Sequence, residues 1–365
     1  MHDDMTKTRV LVVDDSAFMR KVISDTIARD AAFEVVGTAR DGVDALDKIE
    51  KLQPDVVTLD VEMPRKDGLE TLRELMVKHP VPVVMLSSMT QAGTKATMEA
   101  LALGAVDFIA KPSGAISLDI ETVQDELIRK LKAAVGARIR PAYSVVPKPR
   151  PIVRKREPPQ PAASMGGGAQ PTIAVAIGAS TGGPRALEEV VRQFPKDLPA
   201  AILVVQHMPA GFTRSMAERL NQIASIRVKE AEEGDRLTAG IAYIAPGDFH
   251  MTVSKDQVIH LEQTPPVNYV RPSVDVTMLG LPNVYSNRLI GVILTGMGKD
   301  GAAGMAKIKA EGGVTIVQDE STSTIYSMPR AVVENGDADF VLPLERIGDA
   351  VVRAVMKLKQ RVGSL

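Results

Sequence analysis

The 365-residue sequence has no cysteine and no tryptophan. Without thiols it can form no disulfide, thiolate nucleophile or cysteine metal site, which fits a reducing compartment. Aromatic residues are only 3% of the chain, too few for the stacking platforms that hold single-stranded nucleic acid. There is no excess of charge of either sign: the net charge is -1, so no general attraction to nucleic acid or an anionic membrane surface is built in. No apolar run approaches the roughly 20 residues that cross a bilayer, and the polar first nine residues carry no export pattern. These absences predict a cytoplasmic protein that neither enters a membrane nor binds nucleic acid, with a monomer as the default state.

Hydrophobic residues make up 45% and charged residues 24% of the chain, the balance of a globular protein long enough for two cores. Eight of the 24 prolines fall between Pro141 and Pro171, together with Lys148, Arg150, Arg154, Lys155, Arg156 and the run Gly166-Gly167-Gly168. So little apolar material reads as an extended connector. The sequence therefore divides into residues 1–135, a proline-rich basic linker over 136–171, and residues 172–365. On both sides, short apolar runs alternate with amphipathic helical spacing, which predicts α/β domains with mainly parallel sheets covered on both faces. In the second domain, residues 242–245, a Pro246-Gly247-Asp248 turn and residues 250–253 predict an inserted β-hairpin.

Parallel sheets present functional groups at the carboxyl ends of their strands. In the first domain these ends carry Asp14-Asp15, Asp60, Ser87 and Lys111-Pro112. Three carboxylates brought together suit a hard cation such as Mg2+. With the cation neutralising an incoming phosphoryl group, Asp60 can attack it, Lys111 can pair with it and Ser87 can donate a hydrogen bond to it. A single aspartate at a strand end is more often a turn or cap; the joint pattern at four successive ends is not explained that way. Residues 9–130 resemble the receiver domain of two-component response regulators. That resemblance implies a flavodoxin-like fold, Asp60 as phosphoacceptor, Asp14, Asp15 and Asp60 around Mg2+, Ser87 and Phe108 as a switch pair, and Lys111 as the family's lysine.

In the second domain an apolar run over 173–177 enters Gly178-Ala179-Ser180-Thr181-Gly182-Gly183-Pro184, a G-x-S-x-G pattern that presents a serine on a tight strand-to-helix turn. A phosphate cradle, or a serine that only caps a helix, fits the same residues. A nucleophilic serine needs a base. Of the five histidines, His207 follows the apolar run 201–205 and reaches the same sheet edge. His250 is the reserve, and His260 reads as structural. An orienting carboxylate is also needed. Asp300 follows the run 289–294 and Thr295-Gly296-Met297-Gly298-Lys299, with Asp275 and Asp319 as rivals. The Met297 N–H is available for an oxyanion hole.

Residues 172–360 resemble the catalytic domain of chemotaxis protein-glutamate methylesterases. The likeness rests on the 178–184 block, on Gln206-His207-Met208-Pro209, on Ile244-Ala245-Pro246-Gly247-Asp248-Phe249-His250-Met251 and on Leu294-Thr295-Gly296-Met297-Gly298-Lys299-Asp300-Gly301. Gln318-Asp319 and Met328-Pro329 add to it. It implies a doubly wound hydrolytic domain with Ser180 as nucleophile, His207 as base and Asp300 as orienting acid. Thr181, Gly182 and Met297 would flank the oxyanion site. The implied reaction demethylates glutamyl methyl esters and deamidates certain glutamines on chemotaxis receptors, with no cofactor for hydrolysis and a chemotaxis histidine kinase as phosphodonor. The order Ser, His, Asp differs from that of the common α/β-hydrolases. A response regulator with a phosphate- or nucleotide-binding output domain, and a hydrolase of some other ester, are the alternatives.

Overall fold

The computed structural model describes residues 7–111, 120–138 and 170–362. Residues 139–169 of the expected linker, and Pro112, lie outside the described residues.

The first domain runs β1 (Thr8–Val13), α1 (Ala17–Ala28), β2 (Phe33–Ala39), α2 (Gly42–Leu52) and β3 (Val56–Asp60). It continues through α3 (Gly68–Lys78), β4 (Val83–Ser87), α4 (Gln91–Leu103), β5 (Asp107–Ala110) and α5 (Ile120–Val135). The strands form a parallel sheet in the order β2-β1-β3-β4-β5. β3 and β4 are buried along their whole length, as expected of strands with helices on both faces. Ser16, Asp41, Asp67 and Thr90 each accept a backbone N–H at the start of a helix, satisfying donors that the helix itself leaves orphaned. The chain reverses direction across the sheet at β1, so the carboxyl ends of β1 and β3 are neighbours. Crevices of this kind are where doubly wound sheets bind ligands.

The second domain runs β6 (Ala174–Ala179), α6 (Gly183–Val191), β7 (Ala201–Gln206), α7 (Phe212–Ile223), β8 (Arg227–Glu230) and β9 (Ile241–Ile244). Next come β10 (His250–Val253), β11 (Ile259–Glu262), α8 (Val274–Gly280), α9 (Pro282–Tyr285) and β12 (Leu289–Ile293). The chain ends with α10 (Ala302–Ala310), β13 (Val314–Gln318), α11 (Ser327–Glu334), β14 (Phe340–Leu342) and α12 (Leu344–Val362). Seven strands form one sheet in the order β14-β13-β12-β6-β7-β9-β8, every pairing parallel. The expected hairpin is present, but its strands are others. β9 joins the main sheet beside β7 and β8, and the hairpin pairs β10 with β11. The residues explain the difference: Ala242, Tyr243 and Ile244 are all buried, and a strand buried on both faces belongs inside a parallel sheet. The Pro246-Gly247 turn is the exit from β9.

The two domains share an interface. α4 packs on α6 and α7, and one apolar cluster runs from Met98, Leu101 and Phe108 to Phe212, Met216 and Leu187. The Phe108 and Phe212 ring centroids are 4.4 Å apart. Thr94 Oγ1 and Ser215 Oγ lie 2.8 Å apart, and Lys95 faces Glu218 at 3.9 Å. No described helix is long and apolar enough to cross a membrane.

Candidate active site and phosphoacceptor site

β6 is the switch point of the second sheet, with β12 on one side and β7 on the other. Ser180 follows β6, His207 follows β7, and Asp300 lies beyond β12. Ala179 pairs with Gln206, so Ser180 and His207 are the first residues beyond two neighbouring strands about 4.8 Å apart. The tight turn after β6 depends on Gly182, which has φ +78° and stands at the N-cap of α6 without a side-chain cap. That conformation favours glycine. Ser180 is therefore not the cap of α6. Its N–H donates to Thr295 O at 3.1 Å and its carbonyl accepts from Gly183 N–H at 2.7 Å.

His207 Nε2 lies 2.8 Å from Asp300 Oδ2. Nε2 therefore carries the proton that faces the carboxylate, and Nδ1 keeps its lone pair, the reverse of the ring orientation in the trypsin-type triad. Asp300 is 3% exposed and densely held. Its Oδ1 accepts from Ser273 Oγ at 2.8 Å, Asn268 Nδ2 at 3.0 Å and Asp275 N–H at 3.1 Å. Its Oδ2 also accepts the Val274 N–H at 2.6 Å. Burial alone would raise the pKa of this carboxyl. The bond and charge of His207, with the Val274 N–H and the Ser273 hydroxyl, outweigh burial and hold it at about 2.

The rivals are occupied elsewhere. Asp275 accepts from Gly304 N–H at 2.8 Å and from Asn268 at 3.1 Å. Burial and the neighbouring Asp300 charge push its pKa up. Asp319 closes a local turn on Thr322 and Ser321. His250 is fully buried, accepts Ser273 N–H on Nδ1 at 3.1 Å and has Nε2 3.2 Å from Pro265 O. It is a brace for the segment that grips Asp300, with no ring nitrogen left for Ser180. His260 pairs with Glu233 on the outer face of the hairpin.

Among the described residues the N–H groups of Thr181, Gly182 and Met297 have no acceptor. Ser327 Oγ braces the Met297 loop, donating to Gly296 O at 2.9 Å and accepting Gly298 N–H at 3.0 Å. The Thr181 hydroxyl donates to Asp107 Oδ2 of the first domain at 2.5 Å. Asp107 Oδ1 lies 3.2 Å from Lys130 Nζ. Asp107, Asn268 and Ser273 thus meet the site, three residues that the sequence pattern does not single out. Asp107 and Asn268 carry no local signal, and Ser273 reads locally as no more than the cap of α8.

In the first domain, ligand oxygens of Asp14, Asp15 and Asp60 lie within 4.8 Å of one another. Lys111 Nζ bridges Asp14 at 2.8 Å and Asp60 at 2.7 Å. Burial lifts the Asp60 pKa to about 6; Lys111 opposes the rise and the Asp14 charge adds to it. An oxygen-only set of three crowded carboxylates fits a hard divalent cation. Ser87 Oγ points to Gly93 O at 3.1 Å. Phe108 is 2% exposed, held beneath Phe212.

Residues 10–121 match the response regulator receiver domain, and residues 175–351 match CheB methylesterase. A protein-glutamate methylesterase/protein-glutamine glutaminase of Symbiobacterium thermophilum is 54% identical over 95% of this chain and 97% of that protein. Proteins of the same description from Pyrococcus abyssi and Pyrococcus horikoshii are each 50% identical, over 97% and 96% of this chain and 95% and 94% of their own lengths. With a receiver fold, a CheB-type catalytic fold and identity at this level along nearly the whole length, the chain belongs to the protein-glutamate methylesterase/protein-glutamine glutaminase family of chemotaxis.

Proposed function

We propose that this enzyme demethylates glutamyl methyl esters on chemotaxis receptors, and deamidates selected receptor glutamines, through a Ser180-His207-Asp300 triad gated by phosphorylation of Asp60. The observation that carries the reading is the bond from His207 Nε2 to a buried, ionised Asp300, beside the strand that Ser180 follows. It leaves His207 Nδ1 as the ring's basic atom, the one available to Ser180 at the neighbouring strand end. Nδ1 takes the hydroxyl proton while Oγ attacks the ester carbonyl. The oxyanion that forms is met by the free N–H groups of Thr181, Gly182 and Met297. Collapse breaks the ester C–O bond, and His207 returns the proton to the departing methoxide, giving methanol. A water, deprotonated by His207, then attacks the acyl-enzyme, releasing the glutamate carboxylate and restoring Ser180. With a glutamine the leaving group is ammonia. Methanol release from methylated receptor membranes tests the substrate; release only from unrelated small esters would refute it.

The receiver's contacts support a closed resting form. The α4–β5 face packs on α6 and α7, and Asp107 holds the hydroxyl of the residue next to Ser180. Mg2+ held by Asp14, Asp15 and Asp60 would supply charge neutralisation for phosphoryl transfer. Asp60 is the acceptor and Lys111 its counter-charge, with Ser87 and Phe108 transmitting the change to the interface. The phosphodonor is a chemotaxis histidine kinase. A hydrogen bond to a charged group contributes about 1.5–3 kcal/mol. Asp107→Ala in the full chain is therefore expected to raise unphosphorylated activity about tenfold or more, with the phosphorylated rate little changed. Unaltered basal methanol release would exclude this bond as part of the gate.

A further inference from the structure

We infer that Gln206 is a positioning residue that sets the distance between nucleophile and base. It ends β7 and is 2% exposed. Its Nε2 donates to Ser180 O at 2.8 Å and to His207 O at 3.2 Å. Both partners are carbonyls, so only the NH2 end of the amide can face them. Ser180 and His207 are 27 positions apart in sequence, and this one planar group ties their carbonyls together. Ser180 O also accepts from Gly183 N–H at 2.7 Å, so the nucleophile's peptide is held from two sides.

The other end of the amide has a cost. Gln206 Oε1 is buried without a hydrogen-bond partner. It lies so close to Gly183 that a Cβ there would come within 2.0 Å of it. Gly183 is thus bare to admit Gln206, not to relieve its own backbone. An apolar side chain of the same length would bury at this position with no orphaned acceptor. The two donated bonds are the compensation, and their recipients are the two residues whose spacing decides proton transfer. The inference rests on Ser180 and His207 acting as nucleophile and base.

The test uses the full chain, activated with a small acyl phosphate and Mg2+, and a fluorophosphonate serine probe. Gln206→Met keeps length and removes both donors. It is expected to label Ser180 to full stoichiometry but about 30–100-fold more slowly, since a displacement near 1 Å costs on the order of 100-fold. For methanol release, kcat is expected to fall by the same factor while KM stays within about threefold of wild type, as follows when only reactive geometry is lost. A wild-type rate per labelled site, with only the labelled fraction reduced, would mean Gln206 merely supports the fold and would overturn the inference. Gln206→Glu gives a second readout if the methionine variant does not fold. Its ionised form has no donor and its protonated form has one, so its rate relative to wild type should rise as pH is lowered. A flat ratio would also overturn the inference. Absence of labelling at Ser180 in wild type would remove the hydrolase reading and this inference together.

Discussion

Ser180→Ala is expected to lower methanol release by roughly 10⁴–10⁶-fold while leaving the protein folded and able to take up phosphate on Asp60. The size follows from the loss of the acyl-enzyme route, with only the oxyanion donors and substrate binding left to act. The separation of effects follows from the structure. Ser180 Oγ makes no hydrogen bond among the described residues, whereas the Ser180 N–H and carbonyl bonds belong to the backbone and survive the change. Asp60 lies in the other sheet, with its own lysine and acidic neighbours. Phosphate uptake measured beside methanol release would show activity lost and phosphorylation kept. Retained turnover would point to another nucleophile.

Asp300→Asn is expected to cost about 10³–10⁴-fold in kcat, and unlike the serine change it should also destabilise the fold. The carboxylate accepts on both oxygens. An amide has one acceptor end, so its NH2 must face either the Ser273, Asn268 and Asp275 donors or the Val274 N–H and His207. The first choice opposes three donors. The second leaves the Val274 N–H unsatisfied and forces His207 Nε2 to accept, which puts the proton on Nδ1 and leaves the ring no basic nitrogen for a nucleophile. An unsatisfied buried donor costs about 1–3 kcal/mol.

The acid range gives an independent check. Folding holds the Asp300 carboxyl at about 2 against an ordinary value of 3.8, so the ionised form is the one that folding favours. Its stabilisation, on the order of 2 kcal/mol, is complete above the unfolded value and is lost as pH falls toward the folded one. Denaturation midpoints of wild type and Asp300→Asn should therefore differ at pH 7 and converge below about pH 4. A gap that is constant with pH would mean the carboxylate's charge does not contribute.

Much of this candidate site is legible in the sequence alone. Ser180, His207 and Asp300 each follow an apolar run in the chain, and strand ends are where parallel sheets put their chemistry. The sheet order then makes β7, β6 and β12 neighbours. The Asp-Asp, Asp, Ser and Lys pattern of the first domain was legible for the same reason. Other features were not. The pattern around Pro246-Gly247 reads locally as a hairpin, because a turn signal between two short strands does not say which partner each strand takes. β9 instead chose the main sheet, where Ala242, Tyr243 and Ile244 bury together. The helices α3 and α4 are hard to delimit in sequence, since Thr71, Thr94 and Thr97 interrupt their apolar faces yet are buried.

The sequence by itself determined the two α/β folds, the residues with reactive side chains and the strand ends that carry them, because apolar periodicity and turn chemistry are local properties of a chain. Only the tertiary structure decided how those side chains are used. It gave His207 Nε2 to Asp300, took His250 out of the chemistry to brace Ser273, set Gln206 between two carbonyls, and brought Asp107 of one domain onto Thr181 of the other. Apart from the bond of Gln206 to the adjacent His207 carbonyl, these are contacts between residues 23 to 93 positions apart. No periodicity encodes them: each exists because packing leaves one geometry in which most of the buried donors and acceptors find partners.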